Sequence, residues 1–546
     1  MISYDGAAQK RTTSGVYFYT TSDILFMIRI QNIYMIRIQE NKMKFQLFNK
    51  KKTVQVASQE IVKPCNSCFV NRPELGHTIP LAPIDYTCAP FGKFGLTFVY
   101  ENDTIDLKLL KRALSCTLAE YPYLAGHIAV DLGEQGREKL NFVYSYRGIE
   151  WTDKLCKNMS ISDVISVVFS DPKNARRMKS CFAAPDMTPF EPEERDAVKL
   201  WKKSDYLMQV CASKFDDGLI LTVSVSHLAI DVSPLGALLD AWSKNYATLS
   251  QRGDCSISRD LKANVSTVQE HMFQKARELL KEGFSYTYDA DKDLYQIVDT
   301  RKTFERLPIL LKILNKLLPR PDWTIMYAKC SKLNMLKEQL LGEVKAVHPN
   351  ITRLSDNDIM VACLWKALAK SLKNSSQKKQ LTISVDMRGR YDPPMPKPSW
   401  GNCSCVIPVA AVTQEDGHVS LAELAVRVRN IIGDLNADKF QADATRATQI
   451  LDSSANIPSV EWSPRVLKLA FTDMVIPMSI PNWFFSKEWN EATFGENTPV
   501  WVQPMGMKGL VAVIIPSVPG PDGPGYLINL QQSIKEIHID ESFELF

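Results

Sequence analysis

From Thr53 onward, apolar positions recur along the chain with the periods of helices and strands. Residues 106–119 carry leucine at every third or fourth position and predict an amphipathic helix, which Pro122 ends. The same patterns predict further elements: a strand over 124–130, a helix over 356–371, a strand over 381–385 and a hairpin of strands 510–515 and 526–530. Mixed helices and strands of this kind predict an α/β chain of two lobes.

One predicted strand–turn–helix unit places two polar side chains at the edge of a core. The run from Leu219 to Ser226 is apolar, rich in β-branched residues and preceded by Asp-Asp-Gly, so it predicts a buried strand. A helix is predicted from Pro234, with Ser233 as its N-cap, because proline suits the first helical position. His227 and Asp231 therefore lie in the turn between this strand and this helix.

The first 52 residues differ from the rest of the chain. They repeat the pentapeptide Met-Ile-Arg-Ile-Gln at 27–31 and 35–39, and they are rich in Ser and Thr near their start. Such a segment is typical of a weakly structured tail, of an organelle-targeting extension, or of sequence upstream of a true start at Met35 or Met43. We treat residues 1–52 as an atypical N-terminal extension.

The composition excludes several classes of protein. A chain of 546 residues with 45% hydrophobic and 23% charged residues is typical of a globular protein with two or three domains. A net charge of +4 is too small to indicate a nucleic-acid partner. The chain has no apolar run of about 18 residues and no signal-peptide cleavage site, so we predict no transmembrane segment and a cytoplasmic location.

The 12 cysteines are scattered and predict free thiols in a reducing compartment rather than a disulfide framework. One Cys-x-x-Cys motif, Cys65 to Cys68, has no second pair at matching spacing. Cys403 and Cys405 are too close together to complete a zinc ribbon. We therefore predict no metal site.

His227 is the strongest candidate for chemistry. A histidine at the end of a buried strand is usually a hydrogen-bonded core residue, but this turn presents the imidazole at the edge of the core, and Asp231 places a charge nearby. The chain contains no Gly-x-Ser-x-Gly elbow, Walker loop, dinucleotide fingerprint or His-Glu-x-x-His motif. The other six histidines form no cluster with the spacing of metal ligands.

The segment from His227 to Asp231 resembles the His-x-x-x-Asp motif of the BAHD acyltransferases, a plant and fungal family that transfers acyl groups from coenzyme A. Other segments resemble further family motifs in the expected order: Leu81 to Asp85 (Leu-Ser-x-x-Asp), Tyr121 to His127 (Tyr-Pro-Leu-Ala-Gly-Arg), Asp386 to Arg390 (Arg-x-Arg), Pro393 to Pro396 (Pro-Pro-Leu-Pro) and Trp400 to Asn402 (Phe-Gly-Asn). The resemblance covers about residues 53–546.

The last family motif, Asp-Phe-Gly-Trp-Gly-Lys-Pro, is degenerate in this chain. Phe494, Gly495 and Pro499 match it, whereas its Asp, Trp, second Gly and Lys are missing. The family tryptophan has been proposed to assist at the reacting carbonyl, a role that Glu496 cannot take. Val232 also stands where Gly or Ala usually follows the motif Asp. These departures suggest a branch remote from the best-studied plant enzymes.

The resemblance implies a two-lobed chloramphenicol-acetyltransferase-like α/β fold with a tunnel between the lobes, which coenzyme A and the acceptor enter from opposite sides. Carried over to this chain, the lobes are 53–250 and 306–546, joined by a polar crossover over 251–305 and exchanging a strand near 472–490. Acyl-CoA is then a co-substrate, with no permanently bound cofactor. We expect coenzyme A contacts around Ser355, and a monomer.

The resemblance also implies that His227 is a general base, which takes a proton from the hydroxyl or amine of a small-molecule, specialised-metabolite acceptor without a covalent acyl-enzyme. Asp231 is expected to pair with Arg388 and to support the site structurally. Three alternatives stay open: a non-catalytic relative that binds coenzyme A or acyl groups, a condensation-type acyltransferase that uses carrier-protein thioesters, and a hydrolase. The sequence does not identify the acyl donor or the acceptor.

Overall fold

The computed structural model describes the following parts of the chain: 53–65, 76–88, 92–101, 104–133, 137–169, 181–183, 185–192, 206–253, 267–285, 295–298, 324–372, 379–453, 459–462, 478–481, 492–505, 512–518 and 525–530. The extension 1–52, with its pentapeptide repeat, and the turn 519–524 of the predicted hairpin lie outside the described residues. Residues Thr53–Phe546 form one unit by their internal contacts.

The strands follow in chain order: β1 (Thr53–Val62), β2 (Thr78–Pro80), β3 (Lys93–Glu101), β4 (His127–Gly133), β5 (Arg137–Val143), β6 (Ile149–Lys157), β7 (Cys181–Ala183), β8 (Met208–Lys214), β9 (Gly218–Ser226), β10 (Tyr295–Val298), β11 (Thr324–Lys329), β12 (Lys379–Asp386), β13 (Ser404–Val412), β14 (Ser459–Trp462), β15 (Met478–Pro481), β16 (Trp501–Pro504), β17 (Ala512–Val518) and β18 (Gly525–Leu530). The α-helices are α1 (Pro83–Cys88), α2 (Leu107–Glu120), α3 (Ile161–Phe169), α4 (Val232–Arg252), α5 (Val268–Lys281), α6 (Cys330–Val347), α7 (Asp356–Ser371), α8 (Leu421–Gly433) and α9 (Ala437–Ser453).

The largest sheet within the described residues has six strands in the order β1-β6-β8-β9-β3-β16. Only the β6–β8 contact in this sheet is parallel. A second sheet has the order β17-β18-β11-β7, and two smaller sheets have the orders β13-β12-β15 and β2-β5-β4. Strands β10 and β14 form a separate antiparallel pair.

Strand β9 carries the candidate histidine at its end. All nine of its residues are buried, because β8 and β3 flank it and both of its faces are covered. A strand that is buried on both faces has no need of an alternating polar face, which explains its almost continuous run of apolar and small residues. The strand predicted over 219–226 is therefore observed as β9 with one more residue at its start.

The first hydrophobic core packs the long helices α2 and α4 together with the six-stranded sheet. The side chain of Asp106 caps α2 by accepting a hydrogen bond from the amide of Lys108 at 2.8 Å. The indole of Trp242 on α4 donates to the Leu110 carbonyl on α2 at 2.9 Å. The predicted helix over 106–119 thus begins after its cap and ends one residue later, at Glu120.

A second hydrophobic core lies among α6, α7, α8 and strands β11, β12 and β13. Helix α7 coincides with the helix predicted over 356–371. Ser355 caps this helix in a capping box with Asp358, in which each side chain accepts a hydrogen bond from the other residue's amide. Such reciprocal bonds satisfy two amides at the helix start and fix where the helix begins.

Two sequence predictions about strands are corrected by the structure. Only the later part of 124–130 is a strand, because residues 122–125 form a 3₁₀ turn and β4 begins at His127. The strand within 472–490 is β15, and it pairs with β12 in the second part of the chain. The strand that joins the first sheet is β16, which pairs with β3, and β7 is exchanged in the opposite direction to pair with β11.

None of the helices in the described ranges is both long enough and apolar enough to cross a bilayer.

The degenerate C-terminal motif docks onto the first core just before β16. Phe494 is fully buried, and its ring lies against Tyr100, Trp242 and Tyr246, with ring centroids 5.2 to 6.1 Å apart. Gly495 follows with a φ of 68°, which a residue with a side chain adopts at a cost. The part of the motif that this chain retains therefore anchors the exchanged segment.

We predict that Phe494→Ala lowers the free energy of unfolding by about 3–5 kcal/mol, because it leaves a cavity among three aromatic rings. The measurement is denaturant unfolding of the full chain. Glu496→Ala, at an exposed neighbouring position, is the control and should change that free energy by less than about 0.5 kcal/mol. Equal effects of the two substitutions would show that Phe494 does not anchor the segment.

Candidate active site

The turn that carries His227 is held by backbone hydrogen bonds, one within the turn and one to the residue before β3. The His227 amide donates to the Gly92 carbonyl at 2.9 Å, and the Ala229 amide donates to the Ser226 carbonyl at 3.0 Å. Asp231, and not Ser233 as predicted, is the N-cap of α4, because its Oδ1 accepts a hydrogen bond from the Ser233 amide at 3.3 Å. Helix α4 consequently starts at Val232, two residues before the predicted start.

Asp231 and Arg388 form a buried ion pair. Arg388 Nη1 donates to Asp231 Oδ2 at 3.0 Å, and the side chains of Arg388 and Asp231 are 3% and 5% exposed, respectively. Burial alone would lower the Arg388 pKa, but Asp231 and its other neighbours raise it above its ordinary value, so the guanidinium stays charged. Arg388 also donates to the carbonyls of Ser399 and Gly401, at 3.1 and 2.7 Å.

The same carboxylate holds the segment that follows Gly401. Asp231 Oδ2 accepts a hydrogen bond from the Cys403 amide at 2.8 Å and from Ser404 Oγ at 3.0 Å. Buried ionised groups are stable only when their hydrogen-bonding capacity is used, and Asp231 meets this condition with four donors. Asp231 therefore ties the histidine turn to the loop before β13.

That loop brings Asn402 to the imidazole. Asn402 Oδ1 lies 3.2 Å from His227 Nδ1, and Asn402 Nδ2 donates to the His227 carbonyl at 2.8 Å. The Phe94 ring covers one side of the imidazole, with ring centroids 4.7 Å apart. Burial lowers the His227 pKa, although the charge of Asp231 and the hydrogen bonds that the imidazole makes with Asn402 and with backbone groups of His227 and Ile230 oppose this effect. His227 is therefore neutral at neutral pH, which is the form that accepts a proton.

A buried carboxylate lies on the far side of Asn402. Asp85 lies in α1, and its Oδ1 accepts a hydrogen bond from Asn402 Nδ2 at 2.8 Å. Its Oδ2 accepts from the Ala82 amide at 2.8 Å and from Gln269 Nε2 at 2.9 Å. Burial raises the Asp85 pKa to about 7, although these hydrogen bonds act in the opposite direction.

Sequence reasoning assigned no role to three of these residues. Asp85 and Asn402 lie in segments that resemble family motifs, so the sequence marked both positions but did not indicate what either residue does. Gln269 lies in the predicted crossover and belongs to no motif. The position of Gln269 in the structure explains why residue 401 is a glycine. Gly401 has a φ of 115°, and a Cβ added at this residue would lie 2.6 Å from Gln269 Oε1.

The remaining predicted site residues lie outside this hydrogen-bonded group. Ser355 is the N-cap of α7, and Phe494 and Gly495 belong to the segment docked on the first core. No group of three or more His, Cys, Asp and Glu side chains in the described ranges is arranged to hold a metal ion.

We predict that Asp231→Ala lowers the free energy of unfolding by about 3–5 kcal/mol, because Arg388 loses its buried carboxylate partner and keeps only the solvent-exposed Asp386, whose Oδ1 lies 3.0 Å from Nη1. Denaturant unfolding measures the loss. The double variant Asp231→Ala, Arg388→Leu should be more stable than Asp231→Ala alone, since it removes the charge that has lost its buried partner. Additive losses in the double variant would contradict a direct pairing of the two side chains.

A second prediction concerns the pH dependence of stability. An unfolded aspartate titrates near about 3.9, whereas the Asp85 pKa in the fold is raised to about 7. The folded chain therefore holds a proton that the unfolded chain releases between these values, and the contribution of Asp85 to stability falls as pH rises through this window.

The stability advantage of the wild type over Asp85→Asn should accordingly shrink between about pH 4 and about pH 7 and stay constant above that range. Denaturant unfolding of both proteins at several pH values measures this difference. An advantage that grows with pH would show that the folded pKa of Asp85 is lowered instead.

The chain matches the family model described as Transferase family over residues 52–534. It is 24% identical over 392 residues to Acyltransferase BOA11 of Botryotinia fuckeliana (strain B05.10), which covers 66% of this chain and 76% of that protein. It is 21% identical over 267 residues to the O-acetyltransferase cpsE of Aspergillus campestris (strain IBT 28561), with 43% of this chain and 51% of that protein covered.

Two solved structures show the fold of the chain. The complex of F. sporotrichioides TRI101 with coenzyme A and T-2 superposes with a TM-score of 0.57 at 15% identity, over 85% of this chain and 98% of that one. Vinorine synthase gives a TM-score of 0.54 at 15% identity, over 89% and 96%. The predicted two-lobed chloramphenicol-acetyltransferase-like α/β fold is confirmed. The chain therefore belongs to the Transferase family of BAHD acyltransferases, and it is an O- or N-acyltransferase.

Proposed function

We propose that this enzyme transfers an acyl group from acyl-CoA to the hydroxyl or amine of a small-molecule acceptor, a specialised metabolite, with His227 as the general base. The observation that carries the proposal is the hydrogen bond between His227 Nδ1 and Asn402 Oδ1 at 3.2 Å, on an imidazole whose pKa burial lowers. The acyl donor is proposed from the relatives, since TRI101 has been solved with coenzyme A bound.

The reaction follows from the orientation of the imidazole. Because an amide oxygen can only accept, the Asn402 contact requires a proton on Nδ1 and leaves the basic lone pair on Nε2. Nε2 takes the acceptor's proton while the acceptor attacks the thioester carbonyl. The tetrahedral intermediate collapses, the C–S bond breaks, and the imidazolium returns the proton to the thiolate. General-base catalysis of this kind contributes about 10²- to 10⁴-fold.

Asp231 supports the site structurally in this proposal. Its carboxylate is already engaged by Arg388, the Cys403 amide, Ser404 and the Ser233 amide. The Cys403 thiol is a poor nucleophile, because burial raises its pKa well above the ordinary value. Transfer from the thioester straight to the acceptor needs neither residue as a covalent carrier.

We propose the remaining features on narrower grounds. The two hydrophobic cores support lobes at 53–250 and 306–546 around the crossover 251–305. The exceptions are the exchanged strands and a few further residues, such as Trp400 in the first core and Ala82 and Ile84 in the second. Coenzyme A would then contact the second lobe around Ser355, at the start of α7, as the family resemblance implies. A monomeric, cytoplasmic enzyme with a tunnel between its lobes completes the proposal.

A non-catalytic coenzyme A-binding relative is the second candidate. The specific observation in its favour is the degenerate motif, in which Phe494 packs into the core and Glu496 replaces the family tryptophan. The hydrogen bonds that orient His227 favour catalysis instead, because a binding protein has no need to fix an imidazole tautomer.

The experiment is thiol release from a panel of acyl-CoA donors with pooled alcohols and amines. We predict that His227→Ala lowers acceptor-dependent release about 10²- to 10⁴-fold, because the base is removed. Coenzyme A affinity and Tm should stay close to those of the wild type. His348→Ala, which removes a histidine paired with Glu423 at 3.3 Å in the second core region, should keep full activity.

The other outcomes identify the alternatives. Tight coenzyme A binding by the wild type without release across the panel would favour the binding protein. Loss of acyl-CoA without any acceptor would indicate a hydrolase, and release only from carrier-protein thioesters would indicate a condensation-type enzyme. Equal release by the wild type and His227→Ala would show that His227 is not the base.

A further inference from the structure

A row of hydrogen bonds behind His227 ends on a buried carboxylate. His227 Nδ1 meets Asn402 Oδ1, and Asn402 Nδ2 donates to Asp85 Oδ1. Asp85 is 0% exposed and Asn402 is 1% exposed, so water does not compete for these bonds. The two residues are separated by 317 positions in the sequence and come from α1 and from the loop before β13.

We infer that Asp85 is a positioning residue for acyl transfer, which fixes the side-chain amide of Asn402 and through it the tautomer of His227. This inference rests on the proposed role of His227 as the base. Asp85 touches neither substrate nor reacting atoms in this scheme, because Asn402 stands between its carboxylate and the imidazole.

The orientation of the Asn402 amide follows from its neighbours. Its Nδ2 lies 2.8 Å from Asp85 Oδ1 and 2.8 Å from the His227 carbonyl oxygen, and both of these atoms accept hydrogen bonds. Turning the amide over would set its oxygen against these two oxygens. Oδ1 must therefore face the imidazole, and an acceptor at that place requires Nδ1–H and a lone pair on Nε2.

The ionised form of Asp85, which predominates above its pKa of about 7, is needed because its other oxygen is already occupied. The Ala82 amide and Gln269 Nε2 both donate to Oδ2, and a backbone amide cannot reverse its direction. Any proton or NH₂ group at residue 85 is thus directed to the side that faces Asn402. Such a donor at residue 85 would face another donor, Asn402 Nδ2, and the Asn402 amide would lose the acceptor that holds its orientation.

The titratable hydroxyls near Asp85 do not compensate for this charge. Tyr86 lies on the same helix, and Tyr123 accepts a hydrogen bond from Gln269 Nε2 at 3.2 Å. Burial is the main cause that raises the pKa of each hydroxyl, to about 12 for Tyr86 and well above the ordinary value for Tyr123. Both stay neutral over the working pH range, and His227 itself lies beyond Asn402.

The test exchanges the two side chains. In Asp85→Asn the introduced Oδ1 accepts from Ala82 and the introduced NH₂ group faces Asn402. The imidazole then loses its acceptor at Asn402 Oδ1, which favours the opposite tautomer against the backbone hydrogen bonds that the imidazole makes with His227 and Ile230. We predict that kcat falls about 10- to 100-fold, the usual effect of removing a partner that orients a functional histidine, with KM for acyl-CoA nearly unchanged.

The double variant Asp85→Asn, Asn402→Asp restores the order of donors and acceptors between residue 85 and the imidazole, although it gives up the hydrogen bond that Asn402 Nδ2 donates to the His227 carbonyl. The amide introduced at position 85 donates to the carboxylate introduced at position 402, which in turn accepts the proton of His227 Nδ1. We predict that kcat recovers to within about tenfold of the wild type. The acid limb of the kcat pH profile should move to higher pH, because a carboxylate in contact with the imidazole raises its pKa.

A matched control and a readout independent of turnover complete the experiment. Asp416→Asn neutralises another buried carboxylate that accepts a backbone amide, that of Thr413 at 2.8 Å, and it should leave kcat and the pH profile unchanged. Ring ¹⁵N NMR of the seven histidines, assigned with His227→Ala, should show Nδ1–H in the wild type and Nε2–H in Asp85→Asn.

These measurements separate the two claims. If the wild type shows no acceptor-dependent turnover, the proposed function fails, and the ¹⁵N signals still decide the role of Asp85. A folded Asp85→Asn variant that keeps the wild-type tautomer and kcat would overturn the inference. A folded double variant that is no faster than Asp85→Asn would also overturn it. If the double variant does not fold, the tautomer of Asp85→Asn decides alone.

Discussion

The buried ion pair between Asp231 and Arg388 is the constraint on which the site depends. Two charges are withdrawn from water at the start of α4, and the attraction between them offsets that desolvation only because donors and carbonyls occupy the remaining bonding positions. One of those donors is the Cys403 amide, directly after Asn402. The pair therefore helps to determine where Asn402 lies relative to His227.

The polar contacts around this pair join parts of the chain that belong to different cores. Val268 at the start of α5 donates to the Trp400 carbonyl at 2.7 Å, and Trp400 stacks on Tyr123 with ring centroids 5.6 Å apart. The strand exchange through β16 and β7 links the same parts by backbone hydrogen bonds. Displacement at these contacts would alter the orientation of His227 before it exposed either core, so we expect activity to be lost before the fold is.

Local signals in the sequence were sufficient for many elements of the fold. The helices over 107–120 and 356–371 and strand β9 were predicted within a residue or two, because periodicity and capping residues act over short distances. The start of α4 was misplaced because Asp231 and Ser233 are both suitable caps. The exchanged strand was also misplaced, since a strand of four residues carries no mark of its distant partner.

The candidate site was only partly predictable, for the same physical reason. The motif identified His227, and the resemblance supplied the expectation that Asp231 pairs with Arg388. The contacts of Asp85 with Asn402 and Gln269 join residues 317 and 184 positions apart, and hydrogen bonds between distant residues leave no periodic pattern. Only the folded structure shows that these side chains meet behind the imidazole.

The central proposal is that His227 activates the acceptor for direct attack on the thioester. Its most direct test is the intact mass of the wild-type protein after mixing with an acyl-CoA that supports turnover, before and after the acceptor is added. We predict an unchanged protein mass throughout and thiol release only once the acceptor is present. A protein that gains the mass of the acyl group, and loses it on addition of acceptor at the rate of turnover, would contradict the proposal.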